Sequence, residues 1–200
     1  GTSSTGEFHV GMHFAGVSQA PVVFVCRNNG WAISVPREKQ TAAKTFAIKA
    51  IGYGMPGVRV DGNDVLAVMQ VATEAIDRAR AGEGPTMIEA LTYRVQGHSS
   101  SDDPSVYPDP KEPELWEKKD PLQRFRTYLR QRGIWSDDDE RVASEKYNQA
   151  ITDALAVADT LGPPPVETMF DDVFEQMPWH IAEQKAWLLA QARTKSPHQH

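Results

Sequence analysis

Helically spaced apolar positions alternate with short apolar runs along the first half of the chain. Residues 6–17 carry Phe8, Met12 and Ala15 at roughly helical spacing, which predicts a helix. Residues 21–26 form a short apolar, β-branched run and predict a buried strand. Residues 41–53, rich in Ala and Lys with Phe46, Ile48 and Ile51, predict a second helix, broken by GMPG at 54–57. GVRVDG at 57–62 predicts a strand running into a turn, and Asp64 the cap of a helix through about residue 81. GEGP breaks the chain again, and residues 86–93 predict another strand. Strands alternating with amphipathic helices predict an α/β fold with a parallel sheet.

The pattern changes after Arg94. Residues 95–113 have almost no large apolar side chains and predict a long polar loop, a kind of segment that is often functional. Residues 115–133 predict a helix with Phe125, Tyr128 and Leu129 on one side and Gly133 as its stop. A longer helix from Ser136 would carry an apolar stripe of Val142, Tyr147, Ile151, Leu155 and Ala158, ended by LGPPPVE. Residues 179–193 predict a last amphipathic helix, and the tail to His200 reads as disordered. The expected organisation is a partial α/β domain over 1–110, with an active-site loop at 95–113, and a mainly helical region over 111–200. The helical stripes need a partner surface, within this chain or on another.

Composition narrows the function classes. The net charge of −6 argues against a general nucleic-acid or membrane-surface binder, and no apolar run reaches the length of a membrane span. A single cysteine, Cys26, rules out an internal disulfide framework and suits a reducing compartment. The opening GTSSTGEF has no initiator Met and reads like the middle of a longer protein.

Candidate chemistry begins at CRNNGWAIS, residues 26–34. Asn-Gly between two β-like runs reads equally as a hairpin turn. The α/β reading gives another meaning, because ligands of open parallel sheets sit beyond the carboxyl ends of the strands. Arg27 and Asn29 lie just past the predicted strand. A guanidinium suits phosphate, and an amide oxygen is a hard ligand suited to Mg²⁺. Gly1 lies 27 positions before Asn28, with a predicted helix and strand between them. That spacing resembles the second half of the thiamine diphosphate signature, with Gly1 as the last glycine of its opening triplet. The segment RVQGHSSSDDPSVY, from Arg94 to Tyr107, resembles a loop of the alpha subunits of 2-oxo acid dehydrogenase complexes. KKDPLQRFRTYL and MFDDVFEQMPWH are similar to the same group, so the resemblance covers nearly the whole chain. CRNNGWAIS, VDGND and EALTYR look closest to the branched-chain type, with bacterial pyruvate dehydrogenase alpha subunits a near second and acetoin dehydrogenase a further relative.

The resemblance implies thiamine diphosphate and Mg²⁺ as cofactors, and oxidative decarboxylation of a 2-oxo acid with acyl transfer to lipoyl-lysine. Asn29 would give its side-chain oxygen to Mg²⁺, Trp31 its backbone carbonyl, and Arg27 would bind the terminal phosphate. His98 would be catalytic, sitting by the cofactor and donating a proton or hydrogen bond during acyl transfer. Seen alone, a histidine in a polar loop is more often solvated, although its free pKa near neutrality suits acid–base work. Arg94, Ser99, Asp102 and Tyr107 would order the loop. Ser99 matches a serine that kinases modify in mitochondrial relatives, where phosphate would repel the diphosphate. The implied partners are a beta subunit, in a heterotetramer of two alpha and two beta, and the lipoyl domain of the acyltransferase core. The implied location is the bacterial cytoplasm, or the mitochondrial matrix in a eukaryote. Three departures stand out: the acidic residue of the opening triplet would precede Gly1, Thr5 replaces a usual Glu, Gln or Asn, and Pro108 replaces a frequent Arg. A non-catalytic assembly module is the alternative of a different class.

Other motifs are weaker. GYGMPG at 52–57 fits a dinucleotide fingerprint but follows a predicted helix rather than a strand. His9 and His13 lack a third ligand and read as structural.

Overall fold

The computed structural model describes residues 1–109 and 111–191. Their contacts divide the chain into two compact units, Gly1–Ser136 and Asp137–His200. The first is α/β, as the alternation predicts. Helix α1 spans Gly6–Val17, and strand β1 spans Val23–Asn28. A two-stranded hairpin follows, β2 (Trp31–Ala32) against β3 (Val35–Pro36). Strand β4 (Gly57–Asp61), helix α2 (Val65–Arg80) and strand β5 (Thr86–Leu91) complete the sheet unit. The order is β1-β5-β4, both pairings parallel, so β5 is central.

Strand β5 is buried on both faces, which is why TMIEAL reads as a run rather than an alternation. On one face Met87 joins Met12 and Ala15 of α1 with Phe46, Ala50 and Met55. On the other, Ile88 and Ala90 pack with Val60 and with Ala75 of α2. Helix α2 begins where the sequence places its cap: the Asp64 carboxylate accepts the N–H groups of Leu66 and Ala67.

Some elements differ from expectation. Strand β1 runs on through Asn28, so Arg27 lies inside the strand and only Asn29 lies past its end. The hairpin tip falls at Ile33 and Ser34, not at Asn29-Gly30; Gly30 instead takes the left-handed conformation (φ 82°) that turns the chain out of β1. Residues 41–53 do not form one helix. Only a 3-10 segment, Ala47–Tyr53, is present. In a continuous α-helix the Ala47 N–H would meet the carbonyl of Ala43; here it goes to the buried Glu89 carboxylate at 2.9 Å. The segment also presses close to its neighbours. A Cβ at Gly57 would lie 2.0 Å from the Ala47 carbonyl oxygen, and one at Gly16 the same distance from that of Tyr53.

The expected helix at 115–133 is two helices, α3 (Lys111–Glu117) and α4 (Pro121–Gln131). Asp120-Pro121 divides them. Pro121 suits the first turn, and the Asp120 carboxylate accepts the Gln123 N–H. Arg124 ties α4 to the β4–α2 turn through Asp61 (2.8 Å), Asp64 (3.2 Å) and the Asn63 carbonyl. The buried Asn63 amide donates to the Lys119 carbonyl and accepts from the Thr92 hydroxyl. Burial pushes the Asp61 carboxyl up, but hydrogen bonds from Arg124 and Asn63 hold it below its usual range.

The second unit is helical: α5 (Asp137–Leu161), α6 (Thr168–Asp171) and α7 (Trp179–Ala190). Four acidic residues open α5, where the helix dipole favours negative charge. Its stripe stays exposed at Val142, Tyr147, Ile151 and Leu155. Lys185 of α7 pairs with Asp171 of α6. The expected disordered tail lies outside the described residues. Among those residues no helix is long and apolar enough to cross a membrane.

The close approach at Gly57 makes a direct test. Gly57→Ala should cost about 1–3 kcal/mol in chemical denaturation through overpacking. Gly52→Ala, in the 3-10 segment that Gly57 packs against but with nothing within 4 Å of the added Cβ, should stay within about 0.5 kcal/mol of wild type.

Candidate functional site

A cavity of about 400 Å³ runs along β1 and around its carboxyl end. Arg27, Asn29 and Trp31 line it together with Gly1, which is distant in sequence. Strand β1 has β5 on one side and no strand on the other among the described residues. Helix α1 leads Gly1 back to the strand end, and Gly30 swings Trp31 across it.

The turn at 28–31 is tied internally. Asn28 is buried, and its side-chain oxygen accepts the Gly30 N–H. The Asn29 side-chain oxygen accepts the Trp31 N–H at 3.0 Å. The Arg37 N–H bonds to the Gly30 carbonyl, so the facing pair Trp31–Pro36 exchanges no bonds across the hairpin. In an extended ladder the N–H and C=O of one residue point to the same side. The Trp31 carbonyl therefore turns away from β3, toward the side on which Asn29 meets its N–H. An amide oxygen and a peptide carbonyl on one side of a turn form a hard-oxygen donor pair, beside a guanidinium that can take an anion. These residues fit a cation-bound phosphate. Among the described residues, no group of three or more His, Cys, Asp or Glu side chains offers a metal site. Cys26 also lines the cavity; burial, then the nearby Glu89 charge, pushes its thiol up, away from nucleophilic use.

The loop after β5 is ordered by one oxygen. Asp102 Oδ2 accepts the His98 N–H (2.6 Å) and the Tyr107 hydroxyl (2.8 Å). Arg94 donates to that hydroxyl (2.7 Å) and to the Ile33 carbonyl (2.6 Å), and lies 3.8 Å from Asp102. The Tyr107 and Trp31 rings meet at 5.0 Å, docking the loop on the hairpin. Ile33 has φ 55°, a costly conformation for a β-branched residue. Ser99 faces Ser101, hydroxyl to hydroxyl at 3.2 Å, and is exposed. His98 is exposed and is not among the cavity-lining residues. So Arg94, Asp102 and Tyr107 come together with the His98 backbone, and the exposed His98 ring does not line the cavity that Arg27 and Asn29 line. His9 bonds instead to the Tyr53 hydroxyl.

Sequence reasoning passed over Asn28 and Glu89. The available signal was an acidic residue inside an apolar central strand, since such a group stays buried only when its oxygens are satisfied.

Fold and cavity thus define an α/β protein with a phosphate- and cation-compatible site at the end of a sheet strand. The sequence profile described as "Dehydrogenase E1 component" matches residues 1–167, and the chain belongs to that family. Pyruvate dehydrogenase E1 component subunit alpha of Staphylococcus epidermidis is 49% identical over 185 residues, 92% of this chain and 50% of that protein. The Staphylococcus aureus protein of the same name is 48% identical over the same shares. The chain spans about half the length of the curated relatives it matches.

The loop carries a pH prediction. The His98 N–H bond, then the Tyr107 hydroxyl, hold the Asp102 carboxyl below its usual range. A depressed folded value means the contribution is present above the unfolded value of about 3.9 and is lost as pH falls through the lower folded one. The His98 amide should be protected from exchange at neutral pH and lose protection in strong acid. In Asp102→Ala it should lose protection at every pH while β5 stays protected.

Proposed function

We propose that this chain is part of the alpha subunit of the decarboxylating component of a 2-oxo acid dehydrogenase complex, with thiamine diphosphate and Mg²⁺ held at the end of β1. The observation that carries this reading is the convergence of Gly1, Arg27, Asn29 and Trp31 on one cavity. Arg27 would bind the terminal phosphate, where a guanidinium offers paired donors. Asn29 Oδ1 and the Trp31 carbonyl would ligate Mg²⁺. Gly1, lacking a side chain, would leave the cavity wall open to the diphosphate. When bound, thiamine diphosphate supplies the electron sink for decarboxylation.

The loop would serve the second half of the reaction. Its Arg94–Tyr107–Asp102 network fixes the His98 backbone and leaves the ring exposed, where a ring N–H can donate to the acyl group as it passes to lipoyl-lysine. The beta subunit would complete the site in a heterotetramer of two alpha and two beta, and the lipoyl domain would enter from solvent. The exposed stripe on α5 supports a partner-facing surface on the helical unit. The names of the relatives support pyruvate as substrate. They give no support to the branched-chain acid expected from CRNNGWAIS and EALTYR, so pyruvate takes its place here.

The test uses the complete alpha subunit co-expressed with its beta partner, following cofactor-dependent reduction of an artificial electron acceptor. Pyruvate should be preferred over 2-oxoisovalerate by at least about tenfold in kcat/KM. The reverse preference would restore the branched-chain assignment. No activity on either acid, from a folded assembly, would favour a non-catalytic module. His98→Ala should slow acylation of the lipoyl domain by about 10²–10⁴-fold.

A further inference from the structure

We infer that Glu89 is a positioning residue for the metal turn, setting it through the amide of Asn28. This rests on the function proposed above and extends it to two residues with no role there.

Glu89 is fully buried in the middle of the central strand. Oε1 accepts from the Asn28 side-chain amide at 2.7 Å, and Oε2 from the Ala47 N–H at 2.9 Å. Arg59 of β4 approaches Oε1 to 3.9 Å from the other side. Three strands and the 3-10 segment thus meet on one carboxylate. Burying such a group is costly unless every lone pair finds a donor, and a hydrophobic replacement often serves stability as well or better. Its use here is orientational.

Asn28 has two chemically different ends. A carboxylate only accepts, so the NH₂ of Asn28 must face Glu89. The oxygen must then face the other way, where it accepts the Gly30 N–H at 3.2 Å. That bond holds Gly30 in its left-handed conformation, and Gly30 delivers Trp31 to Asn29. The order is Glu89, Asn28, Gly30, then the two oxygens assigned to Mg²⁺. Glutamine at 89 has the same shape but only one acceptor, so its NH₂ must confront a donor. If Asn28 flips to meet it, the amide turns its own donors on the Gly30 N–H and the turn is released.

The test is a titration of the assembled, complete protein with thiamine diphosphate and Mg²⁺, read as quenching of tryptophan fluorescence, with thermal unfolding alongside. Glu89→Gln and Asn28→Ala should each raise the Mg²⁺ Kd by about tenfold or more, as loss of supporting contacts around ligands does. The double variant should be no worse than the weaker single, because both act on one turn. Gly16→Ala is the control: its Cβ would press on the Tyr53 carbonyl, at the far end of the 3-10 segment from Ala47, and should lower the unfolding temperature without moving the Mg²⁺ Kd. Equal shifts in Gly16→Ala would reduce Glu89 to a stability role and overturn the inference. Wild-type Mg²⁺ affinity in Glu89→Gln or in Asn28→Ala overturns it too. Should Glu89→Gln fail to assemble, Asn28→Ala carries the test alone, since Glu89 then keeps its Ala47 bond. Asn29→Ala separates the two levels. Weakened binding there with unchanged Glu89→Gln defeats only the inference, whereas no cofactor binding by wild type defeats the functional reading beneath it.

Discussion

A carboxylate sealed from water dictates much of the α/β unit. Glu89 sits at the centre of the central strand, and in that position its oxygens must be given donors. The Asn28 amide of one neighbouring strand and the Ala47 N–H of the segment above supply them, and Arg59 of the other strand brings its charge within 3.9 Å. The consequences reach beyond the contact. Residues 41–46 give up a helix whose Ala47 N–H would otherwise be used locally. Gly57 and Gly16 are small because that segment is drawn onto the sheet. Asn28 is fixed in one of its two amide orientations, and the turn that follows inherits its shape.

The candidate site is built from two pieces that meet on Trp31. One is the rigid turn at the end of β1, an extension of sheet geometry. The other is the loop after β5, whose order depends on hydrogen bonds to the Asp102 carboxylate and the Arg94 guanidinium rather than on apolar burial. Few apolar contacts mean a low cost of opening. Under the proposed function, a cofactor site would gain from the first kind of support, and a loop admitting a tethered acyl acceptor would gain from the second.

Much of this was legible in the sequence for physical reasons. Helical spacing located α1 and the long α5, short apolar runs bounded by turn residues located the sheet strands, and Asp64 announced the cap of α2. The segment at 41–53 was misread because its helical composition is overridden by a contact to a residue some forty positions away, which no local pattern encodes. Asp120-Pro121 was a local signal that a run of helix formers concealed. At the candidate site, Arg27 and Asn29 were singled out by donor chemistry at a strand end, and Trp31 by the family resemblance alone. Glu89 was not, because a lone acidic residue in an apolar strand names no partner until the strands are side by side.

The turn after β1 is proposed to hold a metal-bound diphosphate. The most direct test is a crystal structure of the complete alpha–beta assembly grown with thiamine diphosphate, with Mn²⁺ replacing Mg²⁺ so that its anomalous signal marks the metal. A peak is expected about 2.1–2.2 Å from both Asn29 Oδ1 and the Trp31 carbonyl oxygen, with a phosphate oxygen on the Arg27 guanidinium. A metal bound elsewhere, or a diphosphate that does not touch Arg27, would contradict the proposal.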